Sequence, residues 1–350
     1  MLPHVPKRHE TIIAPTNEGN PRNGEGAIIP LRDGRLLLGW TRFTGGGRDH
    51  SGAEIWGRIS KDGGYTWGDP FLLQENIGRC NVMSVGFLRL HSGTLLFGFA
   101  VKNHPAEDCR YTVRHSDDEG ETWSEPILAI PEPGYFVVNN DHLLQTREGR
   151  LLIPAARSID ARYHCVSTCF CSDDEGRTWQ RPAPYLDLPD SAVGLQEPGI
   201  VECADGTLWM YMRTDRGCIH ASRSADGGES WSAPEPTSLV APVAPASARR
   251  LPGRDEILIL YNDRRGVPYS ADRGTAFHHR TPLTAAVSSD GGRSWHSHQL
   301  VEPDRSKSYC YASIAFHGED TLLTYYVGVA GGPNLLDLKL CIVPTAAWTA

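Results

Sequence analysis

No stretch of this 350-residue chain approaches the ~20 consecutive apolar residues that a membrane-crossing helix needs, and Met1 to Glu10 hold no apolar core of a secretory signal. Those absences read as a soluble, cytoplasmic protein, or a secreted one if a leader has been removed. No apolar stripe of 3.6-residue period runs for three turns, which excludes a helical bundle. Excess positive charge is missing too. With 34 Lys and Arg against 42 Asp and Glu, the net charge of −8 argues against a nucleic-acid partner, though not against a local arginine cluster that binds an anionic small molecule. Nine cysteines, an odd number without regular spacing, do not make a disulfide framework and read as reduced thiols. Cys165, Cys169 and Cys171 share parity on one expected strand and lack a fourth ligand, so neither a metal nor another cofactor is expected.

What the chain has in quantity is turn residues, 36 Gly and 25 Pro, and among them an eight-residue pattern, Ser-x-Asp-x-Gly-x-Thr/Ser-Trp, repeated five times. The copies begin at Ser60, Ser116, Ser172, Ser224 and Ser288. Their aspartates, Asp62, Asp118, Asp174, Asp226 and Asp290, lie 56, 56, 52 and 64 residues apart, the length of a four-stranded propeller blade. A second marker alternates with the first, a turn followed by an apolar strand, as in Asp33-Gly34-Arg35-Leu36 and Asp205-Gly206-Thr207-Leu208. It recurs six times, so the expected fold is all-β, a six-bladed β-propeller of four-stranded antiparallel blades. Residues 1–350 read as a single domain, with about 1–20 joining the closure of the ring. Within the pattern, Ser and Asp cap backbone amides of a tight turn, Gly supplies positive φ, and Trp packs between blades. A residue repeated five times is explained by a turn repeated five times, so the chemistry is sought in residues that break the repeat.

Let the strands of a blade be A to D from the axis outward, with the repeated turn between C and D. The start of A, the end of B and the start of C then share one face of the disc, opposite the repeated turns. At that face stand Glu197, which starts strand A of blade four, and Arg213, which ends its strand B. Arg280 precedes strand C of blade five, and Tyr311 opens blade six, with Tyr309 at the same parity as an alternative. Asp49 lies in the loop before strand C of blade one, Arg22 and Glu25 precede or open its strand A, and Asn140, Asp141 and His142 open blade three. Tyr163, His164, His104 and His278-His279 are further rim candidates.

The eight-residue pattern resembles the Asp box of the sialidase (neuraminidase) superfamily, and the likeness runs through nearly the whole chain. It implies a six-bladed propeller with an axial site. It also implies a retaining exo-glycosidase that releases a terminal sialic acid or related 2-ulosonic acid. Sialidases carry a similar Glu followed by an Arg about sixteen residues later, the separation of Glu197 and Arg213 here. By that likeness Tyr311 is the nucleophile, Glu197 its base and Asp49 the proton donor, with a raised pKa, while Arg213 and Arg280 bind the sugar carboxylate. The chemistry is coherent, because a neutral tyrosine avoids the repulsion a carboxylate nucleophile would meet at an anomeric carbon that bears a carboxylate. The first arginine of the family's triad has no counterpart in register; Arg22 sits about two residues early. This departure, with the Asn140-Asp141-His142 cluster, leaves room for a glycosidase or lyase acting on another acidic sugar, such as a uronic acid. The cluster itself has two readings, recognition of sugar hydroxyls or a buried network that closes the propeller. A carbohydrate-binding propeller without catalysis is the remaining alternative. The partner implied in each case is a glycan that bears a carboxylated sugar.

Overall fold

A computed structural model describes residues 2–266 and 279–349. Its strands form six antiparallel units of the expected kind, with a short 3-10 helix near the C-terminus. Blade one takes Arg22–Pro30, Leu36–Phe43, Ala53–Ser60 and Phe71–Gln74, each strand paired with the next. Blade two (Asn81–Arg89, Leu95–Lys102, Cys109–Ser116, Ile127–Leu128) joins blade three through one parallel pairing, Tyr135 with Cys109. Blade three is the irregular one. Its innermost strand is broken into Tyr135–Val137 and Leu144–Gln145, and its outer edge is made by isolated bridges from Cys171 to Gln180 and Ser167 to Leu186. Blades four (Gln196–Glu202 to Glu235–Val240) and five (Ser247–Arg250 to His296–Glu302) each have four strands in sequence order, every strand paired with the next. Blade six has three strands from the C-terminal end, Lys307–His317, Asp320–Val329 and Asp337–Pro344, and receives its outermost strand, His9–Ala14, from the beginning of the chain.

The repeated turns do what their composition implies. In each, the Ser hydroxyl accepts the Gly amide at 2.7–2.9 Å, and the Asp carboxylate takes the Ser hydroxyl and both the amide and hydroxyl of the Thr or Ser four residues on. These donors hold the turn aspartates below their ordinary range, at about 2 for Asp118, Asp174, Asp226 and Asp290. The tryptophans pack against apolar clusters that span neighbouring blades. Trp295 of blade five lies 5.4 Å, centroid to centroid, from Trp209 of blade four, in a cluster with Val201, Ile257 and Ala286.

One device positions the site. The innermost strands of blades one, two, four and six each slip register, between Gly24 and Ala27, Met83 and Gly86, Gln196 and Gly199, and Cys310 and Ser313. Inside each slip one non-glycine residue has positive φ: Glu25 at 51°, Ser84 at 62°, Glu197 at 45° and Tyr311 at 55°. Such a conformation costs an L-residue roughly 1–2 kcal/mol. A bulge re-aims the side chain it carries, and all four of these side chains line one cavity.

Candidate active site

The cavity, about 150 Å³, lies at the end of the channel where A strands start and B strands end. One side is polar, with Glu25, Asp49, Ser84, Glu197, Arg213 and Tyr311. Met83, Tyr135, Val137 and Tyr163 add apolar surface to the lining, and Lys102 lies 5.3 Å from the centre of the Tyr135 ring.

Within the lining the Tyr311 hydroxyl donates to Glu197 Oε1 at 2.9 Å. Arg213 Nη1 lies 2.9 Å from Glu197 Oε2, close enough for an ion pair although not aligned as a hydrogen bond, and Arg213 Nε donates to Gln196 Oε1 at 3.2 Å. The Arg280 guanidinium lies 5.4 Å from the centre of the Tyr311 ring. It donates to Cys310 Sγ at 3.2 Å, and its buried Nε has no partner among the described residues. Burial above all, then the Glu197 carboxylate, pushes the Tyr311 phenol well above its ordinary value, against the pull of Arg213 and Arg280. Tyr311 therefore rests as a neutral phenol already bonded to the group that can take its proton.

Arg22 reaches the site. It is 1% exposed, and all three guanidinium nitrogens are engaged: Nε with the Tyr326 hydroxyl at 2.8 Å, Nη1 with Asp49 Oδ1 at 2.5 Å and Nη2 with Glu25 Oε1 at 2.7 Å. The other Glu25 oxygen accepts the Ser84 hydroxyl at 2.7 Å. Burial still raises the Glu25 carboxyl, more than Arg22 and Ser84 lower it.

Asp49 departs from the expectation of a raised pKa. Burial pushes it upward, but Arg22, Lys102 and Arg280 together outweigh that push and hold it at about 2. Its side chain is 65% exposed, so solvent screens part of this pull. In the ligand-free site Asp49 is a carboxylate.

Asn140, Asp141 and His142, expected at the cavity as sugar ligands, are not among its lining residues. They form the buried network instead. Asn140 Nδ2 donates to Gly26 O and Tyr311 O, and the Asp141 carboxylate accepts Arg249 Nη2 at 2.8 Å and Ile314 N at 2.9 Å. The Asp141 amide donates to Val85 O, while His142 meets Pro198 O and the Tyr211 hydroxyl. Burial lowers His142 to about 3, leaving it neutral. These three residues bond to every other blade because the broken inner strand of blade three frees them from a ladder.

Tyr309, matched to Tyr311 by parity, does not share its side: the bulge between Cys310 and Ser313 breaks the alternation, and Tyr309 packs on Tyr325 in an apolar cluster. Tyr163 lines the cavity. His164 pairs with Asp187 at 2.7 Å and His104 sits beside Glu107, neither of them in the lining. His278 lies outside the described residues. Ser84, Lys102 and Tyr135 line the cavity without having been singled out, although Lys102 ends a B strand as Arg213 does. Among the described residues no group of three or more His, Cys, Asp or Glu is placed to hold a metal ion.

The family model described as a BNR repeat-like domain matches residues 24–323. The chain belongs to that family, within the sialidase superfamily. This BNR-repeat chain is 26% identical over 334 residues to a sialidase of Micromonospora viridifaciens, covering 83% of the chain and 48% of that protein. It is 36% identical over 129 residues to the anhydrosialidase of Macrobdella decora, covering 34% of the chain and 16% of that protein. The chain thus spans less than half the length of these curated relatives. The solved intramolecular trans-sialidase from Ruminococcus gnavus, in complex with oseltamivir carboxylate, has the same fold, with a TM-score of 0.75 over 98% of this chain and 99% of that one at 16% identity.

Proposed function

We propose that this protein is a retaining exo-glycosidase that releases a terminal sialic acid or related 2-ulosonic acid from a glycoconjugate through a covalent Tyr311 adduct. The observation that carries the reading is the Tyr311–Glu197 hydrogen bond in the cavity lining, with Arg213 and Arg280 beside it. Glu197 takes the phenolic proton as Tyr311 Oη bonds to the anomeric carbon. The glycosidic C–O bond breaks, and the leaving oxygen takes a proton from Asp49. Water then attacks the adduct, Asp49 accepts its proton, and the departing tyrosine recovers its own from Glu197. Arg213 and Arg280 pair with the sugar carboxylate and offset its desolvation. Asp49 needs a proton for the first step. Asp49 takes that proton from solvent as the substrate binds, because the negative charge of the sugar carboxylate opposes the cations that hold Asp49 ionised and raises its pKa.

The full engagement of Arg22 favours one other reading, a sialidase-like glycosidase or lyase acting on a uronic acid, whose carboxylate would need fewer arginines. A chromogenic α-sialoside and a 2,3-difluoro sialic acid separate the two. Turnover together with a mass adduct on the peptide containing Tyr311 supports the first; neither signal from folded protein refutes it.

A further inference from the structure

Asp49 sits on an exposed loop whose own bonds close its base and one turn, where Arg48 N also meets Ser51 Oγ at 3.2 Å. Thr44 N and Gly45 N bond to Gly52 O and close its base, Ser51 N bonds to Arg48 O, and most of residues 44–50 are exposed. Among the described residues, three side chains tie its tip to the propeller. Arg22 holds the carboxylate of Asp49 and reaches Gly47 O at 3.4 Å. The other two act on the backbone and come from blade two. Asn81 Nδ2 donates to Asp49 O at 2.9 Å and to Ser51 O at 2.7 Å, spending both amide hydrogens, and Lys102 Nζ donates to Asp49 O at 2.8 Å.

Asn81 and Lys102 are directly opposite each other, one starting strand A and the other ending strand B of blade two. Gln196 and Arg213 have the same register in blade four. Both blade-two residues are buried, at 0% and 3% exposed. Burying a lysine is costly unless its charge is put to use; here it lies 5.3 Å from the Tyr135 ring centre and bonds to a loop carbonyl. The arrangement serves blade one, in that two buried donors converge on the carbonyl of the residue whose side chain faces the cavity.

We propose that Asn81 and Lys102 are positioning residues that clamp the Asp49 loop and fix the Asp49 carboxyl against the leaving oxygen. The assignment rests on the reading of Asp49 as the proton donor. It explains how an exposed loop can deliver an acid within the few tenths of an ångström that proton transfer requires, since a misplacement of about 1 Å can cost ~100-fold.

The test uses the full chain with Asn81→Ala and, separately, Lys102→Met, on two substrates. Lactose leaves 3′-sialyllactose only with a proton; nitrophenolate leaves a 4-nitrophenyl α-sialoside without one. In Asn81→Ala the clamp predicts a fall in kcat/KM of roughly 30-fold or more on the lactoside and less than about 3-fold on the nitrophenyl substrate; Lys102→Met also removes a cation that holds Asp49 ionised, so that variant is judged by hydrogen exchange. Equal losses on both, or no loss on either, overturn it. Amide hydrogen exchange of residues 45–52 is read in parallel and should accelerate in both variants; unchanged exchange also overturns the clamp. Wild-type protein that turns over neither substrate refutes the sialidase reading, and exchange alone then judges the clamp. Should one variant fail to fold, the other removes a donor from the same carbonyl.

Discussion

Replacing Tyr311 by Phe removes one oxygen and tests the central assignment. That hydroxyl is half-buried and gives Glu197 a hydrogen bond of 2.9 Å. A hydrogen bond to a charged acceptor contributes about 1.5–3 kcal/mol, and part of this is recovered because the phenol no longer needs desolvation. Glu197 keeps Arg213 2.9 Å away, so its charge is not stranded. The ring, its T-shaped contact with Tyr326 and the main chain at φ 55° all remain. The expected loss of stability is therefore at most about 3 kcal/mol, read as a denaturation midpoint. Activity should respond on another scale: without a nucleophile, kcat should fall by about 10⁴-fold or more, equivalent to roughly 5.5 kcal/mol of barrier. Binding of a 2,3-didehydro sialic acid should change by less than about tenfold, because both arginines remain. A folded Phe variant that keeps turnover within about tenfold of wild type refutes Tyr311 as the nucleophile and with it the double-displacement scheme.

Acid should weaken the fold through the repeated turns. Their aspartates all lie below the ordinary carboxylate value, at about 2 in Asp118, Asp174, Asp226 and Asp290, so they contribute stability above about pH 4 that is lost as pH falls toward 2; melting temperatures across that range test this, and Asp118→Asn should flatten the curve. Glu25 has the opposite sign: its raised folded pKa means that the folded state binds more protons, so its contribution to stability falls as pH rises above about 4.5, and Glu25→Gln should remove that slope. Asp141→Ala leaves the Ile314 amide without its acceptor and takes the carboxylate from Arg249, which keeps its bonds to the main-chain oxygens of residues 141 and 143; it should cost about 1–3 kcal/mol in urea unfolding, with ligand affinity little changed in the folded fraction. Gly24→Ala places a Cβ 2.1 Å from the Tyr326 ring; the ring must move, its hydroxyl leaves Arg22, and both stability and kcat/KM should drop.

The propeller was legible because the Ser-to-Trp turn is local: its hydrogen bonds join residues four apart, and the same side chains recur in every copy. Glu197, Arg213, Arg280 and Tyr311 were legible because the alternation of strand direction decides which ends share a face. What the sequence hid is the bulges. One extra residue in a strand changes which side a side chain takes, so parity linked Tyr309 to Tyr311 wrongly, and register arithmetic placed Arg22 too early although it reaches the site. Asp49 was misjudged for another reason. The cations that lower it lie 27, 53 and 231 residues away along the chain, beyond any local pattern. Asn140, Asp141 and His142 open a strand as the rule required, but that strand is broken, and the freed segment turns inward.

That inward turn makes the molecule a cup instead of a tube. Where a ring of blades could leave a pore, Asn140–His142 corks it, with bonds to Gly26, Val85, Pro198, Arg249, Tyr311 and Ile314. Among the described residues that floor closes one end of the axis, so the glycosidase proposed above would take its glycan from the cavity mouth, tip first, and would favour the ends of chains over their interiors before any arginine has read a charge.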